Sequence, residues 1–247
     1  MSILITGGGS GIGAGTARYF AERGAKVTIS GRREAKLQEV VESIGNAAAY
    51  QVGDVTSEAD RRQMVDAAVA HGGGLDVLFN NAANISHGPF MEIEEQTITD
   101  IFASNVVAPM KLTQYAAPHL SKRKGAVVFV SSGHIRRALP GRAPYAASKG
   151  AIQNLTRVLA AELAPMDIRV NCVLPGAIPS EINIRSGLFG EGEADAFYSK
   201  LDATHPLGRV GTAEEIAEGV AYLSCAEWTT GAILDIDGGF GLGLMTT

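Results

Sequence analysis

The chain has 247 residues, 46% of them apolar and 19% charged, a composition that supports a buried core and excludes intrinsic disorder. The formal net charge is −5 at pH 7 and no basic run exceeds Lys122–Lys124, so nucleic acid is not an expected partner. No apolar stretch reaches the roughly 18 residues of a membrane span, and no leader pattern is visible, so we expect neither membrane insertion nor export.

Cysteine and histidine usage points to a reducing compartment. Cys172 and Cys225 have no pairing pattern, and the five histidines show no metal-ligand spacing. We therefore predict a cytoplasmic protein without a metal site.

Short β-branched segments alternate with longer amphipathic ones. Such alternation indicates crossover connections and a mostly parallel sheet. We predict an α/β fold, a Rossmann-type doubly wound parallel sheet of about seven strands with helices on both faces, in one domain spanning residues 1–247. The predicted strands are Ile3–Ile5, Val27–Ile29, Ala48–Val52, Val77–Asn80, Ala126–Val130, Ile168–Val173 and Ile233–Ile236.

Two stretches depart from this regular pattern. The helical stretch Glu95–Lys122 contains Pro109, which predicts a bend there. The segment 177–205 is irregular and glycine-rich, with apolar residues such as Phe189, and an insertion of this kind predicts a lid over a substrate.

A glycine-rich loop, Thr6–Gly13, follows the first strand and opens a helix, whose free N–H groups and dipole favour a pyrophosphate. A tight strand-to-helix turn is the alternative. Gly9, Gly11 and Ala14 fit the usual dinucleotide spacing, and Gly7, Gly11 and Gly13 fit a wider variant equally well.

The end of the second strand should carry the residues that contact the adenine ribose. Arg32 and Arg33 stand there without a carboxylate, and guanidinium groups bind a 2′-phosphate. This predicts NADP as cofactor, with NAD as the alternative if the arginines are merely solvated.

Four further residues suggest proton chemistry. Tyr145 and Lys149 lie four residues apart on one helix face, where a positive charge favours the phenolate. Ser132 ends a buried strand at the edge where α/β sheets bind ligands, so its hydroxyl can donate to a developing oxyanion. Asn105 is polar within an apolar helix. The alternative for Tyr145 and Lys149 is an exposed pair on the helix surface, and the alternative for Ser132 is a helix cap. For Asn105 it is a buried amide satisfied by the backbone.

In this order, the motifs resemble those of the short-chain dehydrogenases/reductases, in their single-domain branch of about 250 residues. The resemblance covers essentially the whole chain. It is carried by Thr6–Gly13, Asp54-Val55, Asn80-Asn81-Ala82, Asn105, Ser132, Tyr145 with Lys149, and Pro175-Gly176.

The resemblance implies catalytic roles. Tyr145 would be the general acid/base, Lys149 would lower its pKa and hold the nicotinamide ribose, Ser132 would bond the substrate oxygen, and Asn105 would bind a water of a proton relay. Besides Arg32 and Arg33, the implied cofactor contacts are Gly7, Ser10, Gly11, Ile12, Gly13, Asp54, Val55, Asn81, Ala82, Tyr145, Lys149, Pro175, Gly176, Ile178 and Ser180. Ala83 and Ser180 depart from the family's usual glycine and threonine.

The predicted activity is NAD(P)-dependent hydride transfer between a nicotinamide cofactor and a small carbonyl or secondary alcohol. A catalytically silent dinucleotide sensor is the alternative, and a sugar-nucleotide epimerase or dehydratase normally needs a larger C-terminal domain. The resemblance also implies a homodimer or homotetramer, paired through the helices at 96–120 and 145–163, with the segment 231–245 at a second interface.

The loop after Ser132 is cationic, with His134, Arg136, Arg137 and Arg142. Guanidinium groups beside a catalytic hydroxyl can orient a carboxylate or phosphate. Arg136 and Arg137 are therefore hypothetical substrate residues, the alternative being that they face solvent or pair with acids of a second subunit.

Overall fold

Seven parallel strands form one sheet in this computed structural model, which describes residues 1–188, 190 and 192–243. The strand order is β3-β2-β1-β4-β5-β6-β7, which confirms the predicted fold class. The strands are β1 Ser2–Thr6, β2 Lys26–Gly31, β3 Ala48–Val52, β4 Val77–Asn80, β5 Ala126–Val130, β6 Arg169–Pro175 and β7 Ile233–Ile236. The sixth starts one residue later than predicted and runs two residues further.

Helices cover both faces of the sheet. The α-helices are α1 Gly11–Glu22, α2 Glu34–Ile44, α3 Glu58–Gly72, α4 Glu95–Phe102, α5 Ala108–Ser121, α6 Ala143–Leu163, α7 Ile182–Arg185, α8 Ala194–Asp202 and α9 Ala213–Cys225. Short 3₁₀ turns lie at Phe90–Glu92, Gly133–Ile135, Ala164–Met166 and Phe240–Leu242. None of the described helices is long and apolar enough to cross a membrane.

Alternate residues of the strands enter two separate cores. On β1, Ile3 and Ile5 pack with α1, α2 and α9, while Leu4 between them packs with α3, α5 and α6. All three are fully buried, as the two-residue period of a strand covered on both faces requires. The central strands are thus rigid supports for the residues at their ends.

The predicted long helix is interrupted before its proline. A π-helical turn, Ala103–Val107, separates α4 from α5, and Pro109 lies in the first turn of α5. Pro109 has no N–H to donate to the carbonyl four residues earlier, so the hydrogen-bond register shifts just before it. Pro118, which the sequence reasoning passed over, lies inside α5.

Strand order reverses at β1, between its neighbours β2 and β4. Ligands of doubly wound sheets bind at such a switch point, beyond the carboxyl ends of the strands. The segment 177–205, which carries α7 and α8, follows β6 at this same edge. Its residues 189 and 191, like residues 244 and 245 of the predicted interface segment, lie outside the described residues.

Candidate active site

The glycine loop packs too closely to admit side chains. A Cβ at Gly13 would lie 2.4 Å from the carbonyl oxygen of Gly7, and a Cβ at Gly11 would lie 2.9 Å from the Cβ of Ser180. Gly7 and Gly11 have φ values of +67° and +53°, which favour glycine. The first turn of α1 carries no acidic residue, so the helix N-terminus is open to an anion.

The end of β4 holds this loop in place. The amide of Asn81 donates to the carbonyl oxygens of Thr6 and Gly7, at 2.8 and 3.3 Å. The backbone N–H groups of Asn81 and Ala82 donate to the Thr6 hydroxyl, at 3.0 and 2.9 Å. Asn81 therefore fixes the shape of the loop through its side chain.

The two arginines after β2 lie beside the glycine loop. The Arg32 guanidinium is 60% exposed and lies 3.7 Å from the carboxylate of Asp54. Arg33 pairs with Glu181 at 2.6 Å and donates to the Ser10 hydroxyl at 3.3 Å. Arg32 thus retains more freedom to bind a further anion.

Asp54 is ionised at neutral pH. Partial burial acts to raise its pKa, but hydrogen bonds from the Thr56 N–H and hydroxyl and the charge of Arg32 outweigh burial and lower it. Both Thr56 bonds end on the same oxygen, at 2.8 and 2.7 Å. The Oδ2 atom is left to interact with Arg32.

Tyr145 and Ser132 meet at the other end of the site. Tyr145 and Ser132 both line the cavity, and both residues are buried. The ring of His134 packs edge-on against Tyr145, with ring centroids 5.7 Å apart. Burial raises the pKa of Tyr145, while the nearby Ser132 hydroxyl and the positive charge of Arg142 partly oppose the rise.

This direction differs from the lowered pKa that the resemblance implied for Tyr145. The Lys149 ammonium lies 5.7 Å from the centroid of the Tyr145 ring and donates to the carbonyl oxygen of Val130 at 2.8 Å. Burial also lowers the pKa of Lys149 itself, to about 8. Desolvation is thus the largest cause of the pKa shift of each group in this structure.

Asn105 uses its side chain to position other groups. Its Oδ1 accepts from the Asn84 N–H at 2.8 Å and from the Ser104 hydroxyl at 3.1 Å. Its Nδ2 donates to the Asn84 carbonyl at 2.9 Å and to the Ser148 hydroxyl at 3.0 Å. Both polar atoms of the Asn105 side chain thus have hydrogen-bond partners within the protein, as the alternative of a satisfied buried amide expects.

The segment after β6 forms the opposite wall. A Cβ at Gly176 would lie 2.9 Å from the backbone of Asp237, so glycine lets these strand ends approach. The Tyr198 hydroxyl accepts from the Ser180 N–H and the Asn183 amide, both at 3.2 Å. Ser180 is thus held by a tyrosine that sequence reasoning did not single out.

Only one of the three loop arginines faces the site. Arg136 donates to both carboxylate oxygens of Asp235 at 3.1 Å, and the guanidinium of Arg137 lies 5.4 Å above the Phe240 ring. Arg142 lines the same cavity as Tyr145. The hypothetical substrate residues Arg136 and Arg137 are thus engaged outside the cavity.

One continuous cavity of about 550 Å³ connects the glycine loop with Tyr145. Of the predicted site residues, Gly13, Asn105, Arg136 and Arg137 do not line it. Those that do are Gly7, Ser10, Gly11, Ile12, Arg32, Arg33, Asp54, Val55, Asn81, Ala82, Ser132, Tyr145, Lys149, Pro175, Gly176, Ile178 and Ser180. A glycine-rich helix N-terminus at one end and a phenol beside an ammonium at the other fit a nicotinamide dinucleotide.

Known proteins share this architecture along the whole chain. Residues 7–241 match the family model described as enoyl-(acyl carrier protein) reductase. An uncharacterized oxidoreductase of Thermotoga maritima is 39% identical over 243 residues, 96% of each chain.

Solved structures of cofactor-bound reductases are similar to this chain in both fold and sequence. The 3-ketoacyl-(acyl-carrier-protein) reductase of Brucella melitensis, complexed with NADH, is 33% identical with a TM-score of 0.89 over 97% of each chain. A variant of the actinorhodin polyketide ketoreductase with NADPH is 29% identical with a TM-score of 0.87, over 97% of this chain and 96% of that one.

The chain belongs to the short-chain dehydrogenase/reductase family. It is an NAD(P)-dependent oxidoreductase, as predicted. The comparisons give no support to the silent sensor.

Proposed function

We propose that Tyr145 is the general acid/base of hydride transfer between the nicotinamide and a small carbonyl or secondary alcohol. The observation that carries this proposal is that Tyr145, Ser132 and Lys149 line one end of the cavity whose other end is formed by the glycine loop. The nicotinamide, when bound, supplies or accepts the hydride.

Within this proposal, Ser132 holds the substrate oxygen and Tyr145 exchanges its proton. The phenol is neutral in the resting site because burial raises its pKa. It therefore donates to the carbonyl oxygen in the reductive direction and accepts a proton in the oxidative one. The Lys149 ammonium stabilises the phenolate left after donation, and Asn105 positions Ser148 and the Asn84 backbone beside them.

NADP is the proposed cofactor, with NAD the alternative. Arg32 would be the principal contact of the 2′-phosphate and Arg33 the secondary one, because Arg33 is already paired with Glu181. A carboxylate that would repel the phosphate is absent from the residues directly after β2. Asp54 and Val55 would hold the adenine, and Pro175, Gly176, Ile178 and Ser180 would contact the nicotinamide.

The segment 177–205 is the proposed substrate lid. Its described side chains Ile182, Asn183, Tyr198 and Leu201 line the cavity. It would therefore close over a substrate bound at Tyr145.

We also propose that the chain assembles into a homodimer or homotetramer and that it is located in the cytoplasm. Large apolar side chains are exposed on the helices expected to pair: Val107 and Val158 by 51% and 53%. Unpartnered apolar surface of this kind favours subunit contact.

The two cysteines are both free thiols, consistent with a reducing compartment.

A panel of carbonyls and secondary alcohols, offered with NADPH, NADP⁺, NADH and NAD⁺, tests this function through nicotinamide absorbance. We expect turnover of at least one carbonyl–alcohol pair, faster with the phosphorylated cofactor. Cofactor binding without turnover of any member would favour a silent dinucleotide-binding protein.

A further inference from the structure

Arg142 differs from the other arginines of the cavity in having no anionic partner among the described residues. It is half-buried, and none of the described residues gives its guanidinium an ion pair or a hydrogen bond. By contrast, Arg32 faces Asp54 and Arg33 faces Glu181. A partly desolvated charge without a counter-charge is unfavourable, so the site as folded is incomplete without an anion.

The groups around Arg142 do not supply that anion. Tyr145, Tyr198, His87 and His134 are close enough to interact with its charge. Burial, with the charge of Arg142, lowers the pKa of each histidine to about 4, so both are neutral at neutral pH. The positive charge of Arg142 is therefore not offset by these four side chains.

A second unsatisfied group lies beside it. The Nδ1 atom of His134 is buried without a hydrogen-bond partner among the described residues, and His134 packs against Tyr145. Asp100, a carboxylate that lines the same cavity, is exposed and accepts from the Gln96 amide at 2.8 Å. The Arg142 guanidinium thus offers unused donors to an oxygen-rich group.

We propose that Arg142 binds a carboxylate of the substrate, so that the enzyme acts on oxo acids and the matching hydroxy acids. Arg142 directly precedes α6, lines the same cavity as Tyr145 and is close enough to interact with it, so a carboxylate bound there would lie near the reacting carbon. One guanidinium matches one carboxylate by two parallel hydrogen bonds, and this clamp orients the carbonyl. The inference rests on the proposed function, since it assumes that the carbonyl lies at Tyr145.

The test compares short 2-oxo and 3-oxo carboxylates with their methyl esters, which keep the carbonyl and lose the charge. The wild type should prefer the acids. Arg142→Gln should lower kcat/KM for the acids roughly 100-fold, mainly through KM, and change it less than about threefold for the esters. Arg136→Gln, in the same loop but paired outside the cavity, is the matched control and should keep the preference.

Calorimetric titration of the corresponding hydroxy carboxylates into protein loaded with reduced cofactor provides a readout without turnover. Binding should weaken in Arg142→Gln and persist in Arg136→Gln. Equal handling of acids and esters by the wild type, or equal losses in both variants, would overturn the inference.

The two proposals fail separately. Tyr145-dependent turnover of neutral carbonyls, with no Arg142-dependent binding of carboxylates, would overturn this inference and leave the proposed function intact. Arg142-dependent carboxylate binding without turnover of any carbonyl would support the anion site and contradict the proposed function.

Discussion

The ammonium of Lys149 lies 5.7 Å from the centroid of the Tyr145 ring, and both residues are buried. The two groups are four residues apart on α6, and their proximity follows from helix geometry alone. Burial is set by the rest of the fold, and it opposes the charged form of each. The site therefore holds a charge that destabilises the folded protein in the absence of ligand.

Replacing Lys149 by methionine should stabilise the protein and inactivate it. The pKa of Lys149 is lowered from 10.5 to about 8, so the unfolded state binds more protons between those values and unfolding free energy rises with pH there. Below pH 8 the buried ammonium costs roughly 3 kcal/mol. Urea denaturation at pH 7 should show Lys149→Met gaining up to that amount, less the lost bond to Val130.

The gain should shrink as the pH rises from 8 through 10.5, because the folded protein then no longer holds a buried ammonium. Lys122→Met, at an exposed lysine, is the control and should gain little. A gain in Lys149→Met that does not change with pH would mean that packing, not charge burial, explains it.

Asn105→Ala should destabilise the protein by about 2 kcal/mol, because the backbone of Asn84 and the hydroxyl of Ser148 lose their buried partners. Turnover should fall as well, since these groups lie beside Tyr145. Urea denaturation and kcat measure the two effects. Asn46→Ala, at an exposed asparagine, should change neither; unchanged stability of Asn105→Ala would show that its four bonds contribute nothing.

Arg32→Ala should raise the Kd of NADPH about 10- to 100-fold, the loss expected for charge-assisted hydrogen bonds. The Kd of NADH should change less than about threefold. Fluorescence titration of each reduced cofactor measures both constants, and Arg62→Ala, at an exposed arginine outside the cavity, provides the control. Equal losses for both cofactors would remove the support for NADP and favour NAD.

The sequence predicts the sheet and the place of the site because both depend on local pattern. Uninterrupted apolar runs such as Val127–Val130 identify strands buried on both faces, and parallel strands bring their carboxyl ends to one edge. Ser132 and Asn81 follow such strands directly, so their arrival at the cavity was predictable.

Side-chain direction in the irregular loop after Ser132 was not predictable in this way. Which of Arg136, Arg137 and Arg142 enters the cavity depends on Asp235 and Phe240, which lie about a hundred residues further along the chain. The net pKa shift of Tyr145 likewise depends on burial by the whole fold. The proline predicts that the helix is disturbed nearby, but not that the disturbance is a π-helical turn at Ala103–Val107.

The central claim, that Tyr145 exchanges the proton with the substrate, is tested most directly by kcat and cofactor affinity of Tyr145→Phe, with the exposed Tyr222→Phe as control. The ring of phenylalanine fills the same space but carries no proton to exchange. We expect kcat to fall about 1,000-fold while the Kd of the reduced cofactor stays within about twofold and Tyr222→Phe matches the wild type. A Tyr145→Phe enzyme that retains turnover within about tenfold of the wild type would contradict the account.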